Sequence, residues 1–428
     1  MFTAPRRMAF FTMANFIDDL NYRDLIAQYS NEGAVRKLLE QKQTVYCGFD
    51  PSAGSMHLGN YVMISLLKRF QLAGHRVVAV VGGATGMIGD PSGKSKERNL
   101  QTKETLAANT ASIKAQLERY IDLSDPQKGM IVNNYDWLGS LSTIDFLRDY
   151  GKYFPVNYML SKEIVKSRLE DGISFTEFAY QILQSIDFYC LHHKLGVNLQ
   201  IGGNDQWGNL TSGLELIRKI DGQEERAECL AAKLLLRSDG KKFGKSEKGA
   251  LFLDPSLTSP YALYQYFMNV TDEDAIRYLK VFSFLNQEEI EAVAREHFAA
   301  PGARIGQKRV AYEVTKDIHG AAAAEEAIAT TAALFSGEVA GLRESEIEEV
   351  FGELKKPIVP GMNILDLLVA LGEAPSKSQA RRDLLQGAIS LNGAKVSDPE
   401  KAILASDALY GKYVIVRRGK KNYYLGSF

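Results

Sequence analysis

A chain of 428 residues exceeds what one hydrophobic core usually organises, so two or three domains are expected. With 45% apolar residues, 24% charged residues and a formal net charge of −1, the composition is that of an ordinary globular protein, and it excludes nucleic-acid binding by bulk charge; such a partner would need a local basic patch. Cys47, Cys190 and Cys229 include no closely spaced pair, which argues against a disulfide framework or a zinc knuckle and fits a reducing cytoplasm, with no resident metal expected.

At the N-terminus, Arg6-Arg7 and the apolar Met8-Ala9-Phe10-Phe11 are soon followed by Asp18 and Asp19, a poor signal peptide. No apolar run approaches the roughly 20 residues needed to span a bilayer, so no membrane partner is expected. Met8 or Met13 could equally serve as the start. Residues 1–43 read as an extension and helical lead-in. From 44 to 235, apolar extended runs alternate with helical periodicity, the pattern of a Rossmann-like, doubly wound parallel sheet in an α/β domain. Three strands stand out: 44–49, 76–81 before Gly82-Gly83, and 197–201 before Gly202-Gly203. Ligands of such sheets lie beyond the carboxyl ends of the strands.

Residues 236–259 form a lysine-bearing loop and linker. The 260–335 stretch lacks glycine-punctuated strands and is helical, as at 288–297 and 321–333. Gly337, Gly341, Gly352, Pro357 and Pro360 mark 336–360 as a linker with one short helix. The last segment, 361–428, is a small α+β module: a helix from Ile364, a second over 376–385, and a hairpin over 389–396 turning at Asn392-Gly393. Its basic residues leave a local excess of four positive charges, which suits either a phosphate-binding face or a solvated surface.

Two nucleotide fingerprints nearly match and fail. Gly89-Asp90-Pro91-Ser92-Gly93-Lys94-Ser95 has one residue too few between its glycines for a P-loop, and Gly83, Gly86 and Gly89 lack the dinucleotide spacing. What remains is a polar, basic loop with Asp90, Lys94, Lys96 and Arg98. Elsewhere, His57-Leu58-Gly59-Asn60 opens an amphipathic helix, whose free N–H groups favour an anion, and Lys242-Phe243-Gly244-Lys245-Ser246 puts two lysines on a glycine-containing loop. On the helix that follows Phe175, Tyr180, Gln184 and Asp187 fall at i, i+4 and i+7 and share one face, where burial would demand a polar partner.

Together these segments resemble the paired signatures of class I aminoacyl-tRNA synthetases, and their surroundings narrow the resemblance to the bacterial tyrosyl-tRNA synthetase family over nearly the whole chain. The last segment is similar to the S4 RNA-binding module. The resemblance implies that His57 donates to the phosphates of ATP, that Gly59 lets adenine approach, and that Asn60, standing where the family signature has a second histidine, donates to the ribose. It also implies that Lys242, Lys245 and Ser246 hold the departing pyrophosphate, with Lys94 and Arg98 on a mobile basic loop. Phe243 and Gly244 depart from the usual signature at positions that do not contact phosphate.

For the amino acid, the resemblance assigns Tyr180, Gln184 and Asp90 to the ammonium group and Tyr46 with Asp187 to the phenolic hydroxyl. Gln200 and Gln206 would line the amino-acid and α-phosphate region, and Gly203 with Asp205 the ribose. Without it, Asp205 reads equally as a helix N-cap, and Asp50 as either a nucleotide contact or a turn former before Pro51. Lys377, Arg381, Arg382, Arg417, Arg418, Lys420 and Lys421 are the candidate RNA contacts.

The reaction so implied joins L-tyrosine and ATP, accompanied by Mg2+, into tyrosyl-adenylate and pyrophosphate, then moves the tyrosyl group to tRNA(Tyr), in a homodimer. A tryptophan-specific relative and a non-catalytic RNA-binding protein on the same fold are the competing readings. The Tyr46/Asp187 pair and the S4-like module weigh against the first, and the intact phosphate-binding residues against the second.

Overall fold

The computed structural model describes residues 15–92, 100–166, 168–170, 172–223, 226–238, 240, 243–246, 249–419 and 422–428, without the side chains of Ile164, Lys245 and Ser246. By its contacts the chain divides into two compact units, one within Met1–Thr258 and Gln265–Val314, the other formed by Ser259–Tyr264 and Thr315–Phe428. The 260–335 stretch is helical as expected but is not a body of its own. Its helices Asp272–Phe282 and Gln287–Ala299 fall in the first unit and Ala321–Ser336 in the second.

The first unit is built on a six-stranded sheet of β1 (Ile26–Tyr29), β2 (Thr44–Phe49), β3 (Arg76–Val81), β4 (Gly129–Asn133), β5 (Val197–Gly203) and β6 (Glu228–Ala232), in the order β1-β6-β5-β2-β3-β4. β2 to β6 pair in parallel, and β1 closes one edge antiparallel to β6. The three strands read from the sequence are present. The helical lead-in contributes a strand as well, β1, between helices Phe16–Tyr22 and Glu32–Leu39. The chain winds outward from β2 through β3 to β4 and, on the other side, from β5 to β6, so the order reverses between β2 and β5. That reversal opens a crevice beyond the strand ends.

Register brings the site together there. Phe49 pairs with Val81 and Val81 with Asn133, so the residues that follow, Asp50, Gly82 and Asn134, emerge side by side. The helix Leu58–Leu72 follows β2, and Phe175–Leu195 precedes β5. Ser174 caps the latter helix, its hydroxyl accepting from the Glu177 N–H, and Gly196 ends it in the left-handed conformation at φ 66°.

In the second unit, helices Ile364–Leu371 and Lys377–Leu385 pack on a five-stranded sheet that includes the expected hairpin, with φ of 48° at Asn392 and 88° at Gly393. The 336–360 segment is more than a linker. Val339, Leu342, Ile347 and Phe351 are buried against Tyr413, Ile415 and Leu425, and Lys355–Pro357 pairs in parallel with Asn422–Ser427. Its apolar residues draw it into the core despite the glycines and prolines. Among the described residues, no helix is long and apolar enough to cross a membrane.

Candidate active site

A cavity of about 560 Å³ lies in the crevice, and Tyr46, Asp50, His57, Gly59, Asn60, Asp90, Tyr180, Gln184, Asp187, Gly203, Asp205 and Gln206 all line it. The residues nominated for two substrates thus share one concavity. Gln200 is the exception. It pairs in register with Tyr46, so the two side chains stand on one face of the sheet, but it is 1% exposed and does not reach the cavity lining; its Oε1 lies 3.3 Å from the place a Cβ on Gly213 would take, with no hydrogen-bond partner among the described residues. Lys94, Arg98, Lys242, Lys420 and Lys421 lie outside the described residues, as do the side chains of Lys245 and Ser246.

At the closed end, Asp187 is 4% exposed and accepts from Asn134 Nδ2 at 3.0 Å and Trp137 Nε1 at 2.8 Å. Burial pushes its carboxyl up to about 7; the two donors pull it down and Asp50 pushes it further up. Tyr46, 2% exposed, packs its ring 5.5 Å from that of Phe188, and its hydroxyl has no hydrogen-bond partner among the described residues. An orphaned buried hydroxyl in a cavity that also holds a buried carboxyl is unfavourable in the protein alone and suits a ligand carrying a hydroxyl of its own. Asn134 and Trp137 escaped the sequence reading because β4 had not been placed. The Asn133-Asn134 pair ending an apolar run was the available signal.

Midway, Asp50 accepts from Tyr180 Oη at 2.7 Å and Thr85 Oγ1 at 2.8 Å, and Asn134 Nδ2 also donates to Thr85 Oγ1 at 2.9 Å. Asp50 and Asp187 are therefore joined through Thr85 and Asn134. Burial, then the charge of Asp50, raises the Tyr180 phenol, which holds its proton as donor. A Cβ on Gly82 would come within 2.0 Å of Asp50 Oδ1, so only glycine admits this carboxylate. Asp90 accepts from the Ser92 N–H and hydroxyl at 3.0 and 2.6 Å and from Gln206 Nε2 at 2.5 Å. Asp205 sits in the short turn Asn204–Gln206, while Gln206 occupies the N-cap of the next helix, so the N-cap reading of Asp205 is excluded. Burial and then Asp90 raise its carboxyl.

At the open end, His57 is the N-cap of Leu58–Leu72. Its Nδ1 accepts from the Asn60 backbone N–H at 3.3 Å while the His57 backbone N–H donates to Asn60 Oδ1 at 3.0 Å. With Nδ1 an acceptor, the neutral ring carries its proton on Nε2, and with its oxygen engaged, the Asn60 amide presents its NH2. A Cβ on Gly59 would lie 2.8 Å from the His57 ring, so glycine here makes room for the imidazole. The two signature segments are joined by the backbone. Leu58 N–H donates to Leu251 O at 2.8 Å, Leu253 N–H to Met56 O at 2.9 Å, and Leu251 N–H to Gly244 O at 2.9 Å.

In the second unit most of the nominated basic residues already have partners. Lys377 pairs with Asp366 at 2.5 Å and Arg381 with Glu400 at 3.1 Å, both in exposed pairs. Arg417 donates to the Ser336 and Phe335 carbonyls at 3.2 and 3.4 Å. Arg418 bridges two buried carboxylates, Glu373 at 3.2 Å and Asp383 at 3.0 Å. Arg417 and Arg418 are thus engaged in holding the fold, whereas Arg382 is exposed.

The family described as "tRNA synthetases class I (W and Y)" matches residues 37–336, and that described as "Tyrosine--tRNA ligase SYY-like C-terminal domain" matches 346–426. The chain belongs to the class I tRNA synthetases. It is 51% identical over 415 residues to the tyrosine-tRNA ligase of Bacillus caldotenax, covering 96% of this chain and 99% of that protein, and 50% identical over 417 residues to that of Listeria welshimeri, covering 97% and 100%. Within the class, it is a member of the bacterial tyrosyl-tRNA synthetase family. Among solved structures, a C-terminally truncated mitochondrial tyrosyl-tRNA synthetase of Aspergillus nidulans matches at TM-score 0.67 and 30% identity, covering 75% of this chain and 94% of that one. A tryptophanyl-tRNA synthetase of Encephalitozoon cuniculi matches at TM-score 0.54 and 13% identity, covering 74% and 90%, a likeness of fold alone.

Proposed function

We infer that the chain is a tyrosine-tRNA ligase, which activates L-tyrosine with ATP to tyrosyl-adenylate and pyrophosphate and then transfers tyrosine to the 3′ end of tRNA(Tyr). Membership of the family carries the reading, and the buried Tyr46 hydroxyl, open to a ligand in the same cavity as Asp187, supports tyrosine as the amino acid. A site built to bond a hydroxyl rejects phenylalanine by leaving its own polar groups unpaired; the tyrosyl enzyme is a standing illustration of that rule. Tyrosine-dependent exchange of pyrophosphate into ATP by the purified chain is the test, and absence of exchange, or exchange driven by tryptophan, would overturn the assignment.

In this reading the phenol reaches Tyr46 and Asp187, and the ammonium group meets Tyr180, Gln184 and Asp90. Tyr180 Oη, with its proton given to Asp50, turns a lone pair to the ammonium. The tyrosine carboxylate attacks the α-phosphorus, so both nucleophile and leaving group belong to the substrates. The protein contributes position and donors aimed at the charge that develops on the phosphates. His57 Nε2–H at the helix N-terminus is one donor, and Lys242, Lys245 and Ser246, with Lys94 and Arg98, are assigned to the pyrophosphate. Asn60 and Asp205, with Gly203, are assigned to the ribose, and Gln206 to the α-phosphate side. Mg2+ enters with ATP as part of the substrate. Cys47 lines the cavity, but burial pushes its thiol up to about 12, which suits a pocket wall and not a nucleophile.

The enzyme is proposed to work in the cytoplasm as a homodimer. Ile144 at 69%, Val156 at 62% and Phe175 at 71% exposure are bare apolar side chains of the kind that a second copy would cover. The C-terminal module is assigned to tRNA, with Lys377, Arg381 and Arg382 on its second helix as the phosphate contacts and Lys420 and Lys421 beside them in role.

A further inference from the structure

Between the two signature segments stands a stack of three aromatic rings. Tyr61, the residue after Asn60, lies with its ring centroid 6.0 Å from that of Phe282 at an interplanar angle of 21°, and Phe282 lies 5.2 Å from Phe243 of the second signature at 26°. All three are buried, at 0%, 1% and 8% exposure. Tyr278 closes the side of the stack, 4.8 Å from Phe243. Such near-parallel rings hold a fixed spacing better than aliphatic side chains of equal volume, because a flat ring has few ways to repack.

The middle ring is itself immobilised. Arg69, on the same helix as Tyr61, donates through Nη2 to the carbonyls of Val281 at 3.0 Å and Ser283 at 2.6 Å, the two residues flanking Phe282. Arg23 adds bonds from Nη1 to Lys280 O and Ser283 O, both at 2.9 Å, and from Nη2 to Leu285 O at 2.5 Å. Both guanidinium groups are fully buried at the end of the Asp272–Phe282 helix, where the carbonyls left without helical partners meet positive charge. Beyond the stack, the Gly244 N–H donates to Tyr266 Oη at 3.3 Å, and the place a Cβ on Gly244 would take lies 3.4 Å from Gly59 N. The helix capped by His57 and the peptide that leads into Lys245 thus meet at Gly59 and Gly244, and at Tyr61 and Phe243 they are held apart by one ring, Phe282.

We propose that Phe282 is a positioning residue for adenylate formation, setting the separation of the two phosphate-handling segments through its stack with Tyr61 and Phe243. This rests on the assignment of those segments to ATP. Phe282 is 1% exposed and does not line the cavity. Its effect is carried by the placement of His57 relative to the second signature, where small displacements are costly in rate.

The test compares the full-length chain with Phe282→Leu, Phe282→Ala and Phe243→Leu, measuring kcat and KM in tyrosine-dependent pyrophosphate exchange and tyrosine affinity by equilibrium dialysis. Phe282→Leu, which keeps the core filled, is expected to lower kcat about tenfold with tyrosine affinity within about twofold of the parent. The Phe282→Leu/Phe243→Leu double variant is expected to lose little more than the worse single one, because the rings act as a unit. Unchanged kcat in Phe282→Leu, a parallel loss of kcat and tyrosine affinity, or multiplicative losses in the double variant would each overturn the proposal. If Phe282→Ala does not fold, Phe282→Leu decides alone. A parent chain without tyrosine-dependent exchange would instead remove the functional assignment beneath it.

Discussion

Tyr180 donates its phenolic proton to Asp50 at 2.7 Å, so one carboxylate from the end of β2 fixes the orientation of a hydroxyl on the Phe175–Leu195 helix. The bond makes Tyr180 an acceptor toward the cavity. Tyr180→Phe removes that acceptor and leaves Asp50 short of one donor, and L-tyrosine affinity is expected to fall about tenfold, the effect of one hydrogen bond to a charged group. Equilibrium dialysis with labelled tyrosine measures it, and an unchanged dissociation constant would sink the assignment.

The carboxyl of Asp187, held up at about 7 mainly by burial, gives tyrosine binding a pH profile. In the proposed binding mode the phenol donates to the ionised carboxylate, so affinity should rise between about pH 6 and 8, and Asp187→Asn should bind weakly with a flat profile. The same shift governs stability. The folded state binds this proton more tightly than the unfolded chain, whose carboxyl titrates near 3.8, so Asp187 lowers folding stability as pH climbs from about 4 to about 7 and no further above that. The full span is on the order of 4 kcal/mol, and denaturant titrations of parent and Asp187→Asn at pH 4 and 8 would expose most of it.

Trp137 supports the same carboxylate from outside the first ring of candidates. Trp137→Phe deletes the 2.8 Å bond to Asp187 Oδ1, which moves the midpoint of the binding profile to higher pH and weakens affinity at pH 7 several-fold. A midpoint that stays in place would show that the indole N–H has no part in tuning the site.

His57→Ala should slow adenylate formation by ~10²-fold or more and leave tyrosine binding nearly intact, because the phosphate contact proposed for it would strengthen only as charge develops. Single-turnover activation kinetics separate the two effects. Equal losses in rate and affinity would mean that His57 acts on the ground state or on the fold.

In the C-terminal unit, Arg418→Ala strands Glu373 and Asp383 without their cation and should destabilise that unit by about 2 kcal/mol, reduced from a fully buried pair by partial exposure of the arginine. Arg382→Ala should leave its melting unchanged and weaken tRNA binding in a salt-dependent way. Calorimetry and filter binding at two salt concentrations distinguish the roles.

Much of the site was legible because its chemistry sits on regular elements. Tyr180, Gln184 and Asp187 follow from helical spacing, and β2, β3 and β5 from apolar runs ending in glycine or aspartate. Asn134 and Trp137 were missed because β4 is only partly buried beyond its first residue, so its apolar signal is diluted. Gln200 lies on a well-read strand in register with Tyr46, and only the fold shows that its amide oxygen turns toward Gly213 and does not line the cavity. The count of basic residues in 361–428 could not reveal that Arg418 spends its charge on Glu373 and Asp383, carboxylates brought near only by folding. The 336–360 segment looked like a connector because glycine and proline are conspicuous, while the four apolar residues that bury it are not.

The antiparallel pairing of β1 on β6 protects the chain from its own kind. β6 is buried along all five residues, Glu228–Ala232, and without Ile26–Tyr29 it would offer a bare, sticky row of amides and carbonyls to a strand from another molecule. The short lead-in thus serves as a sealing strip, and shortening the protein past Tyr29 should make the chain clump as it is made.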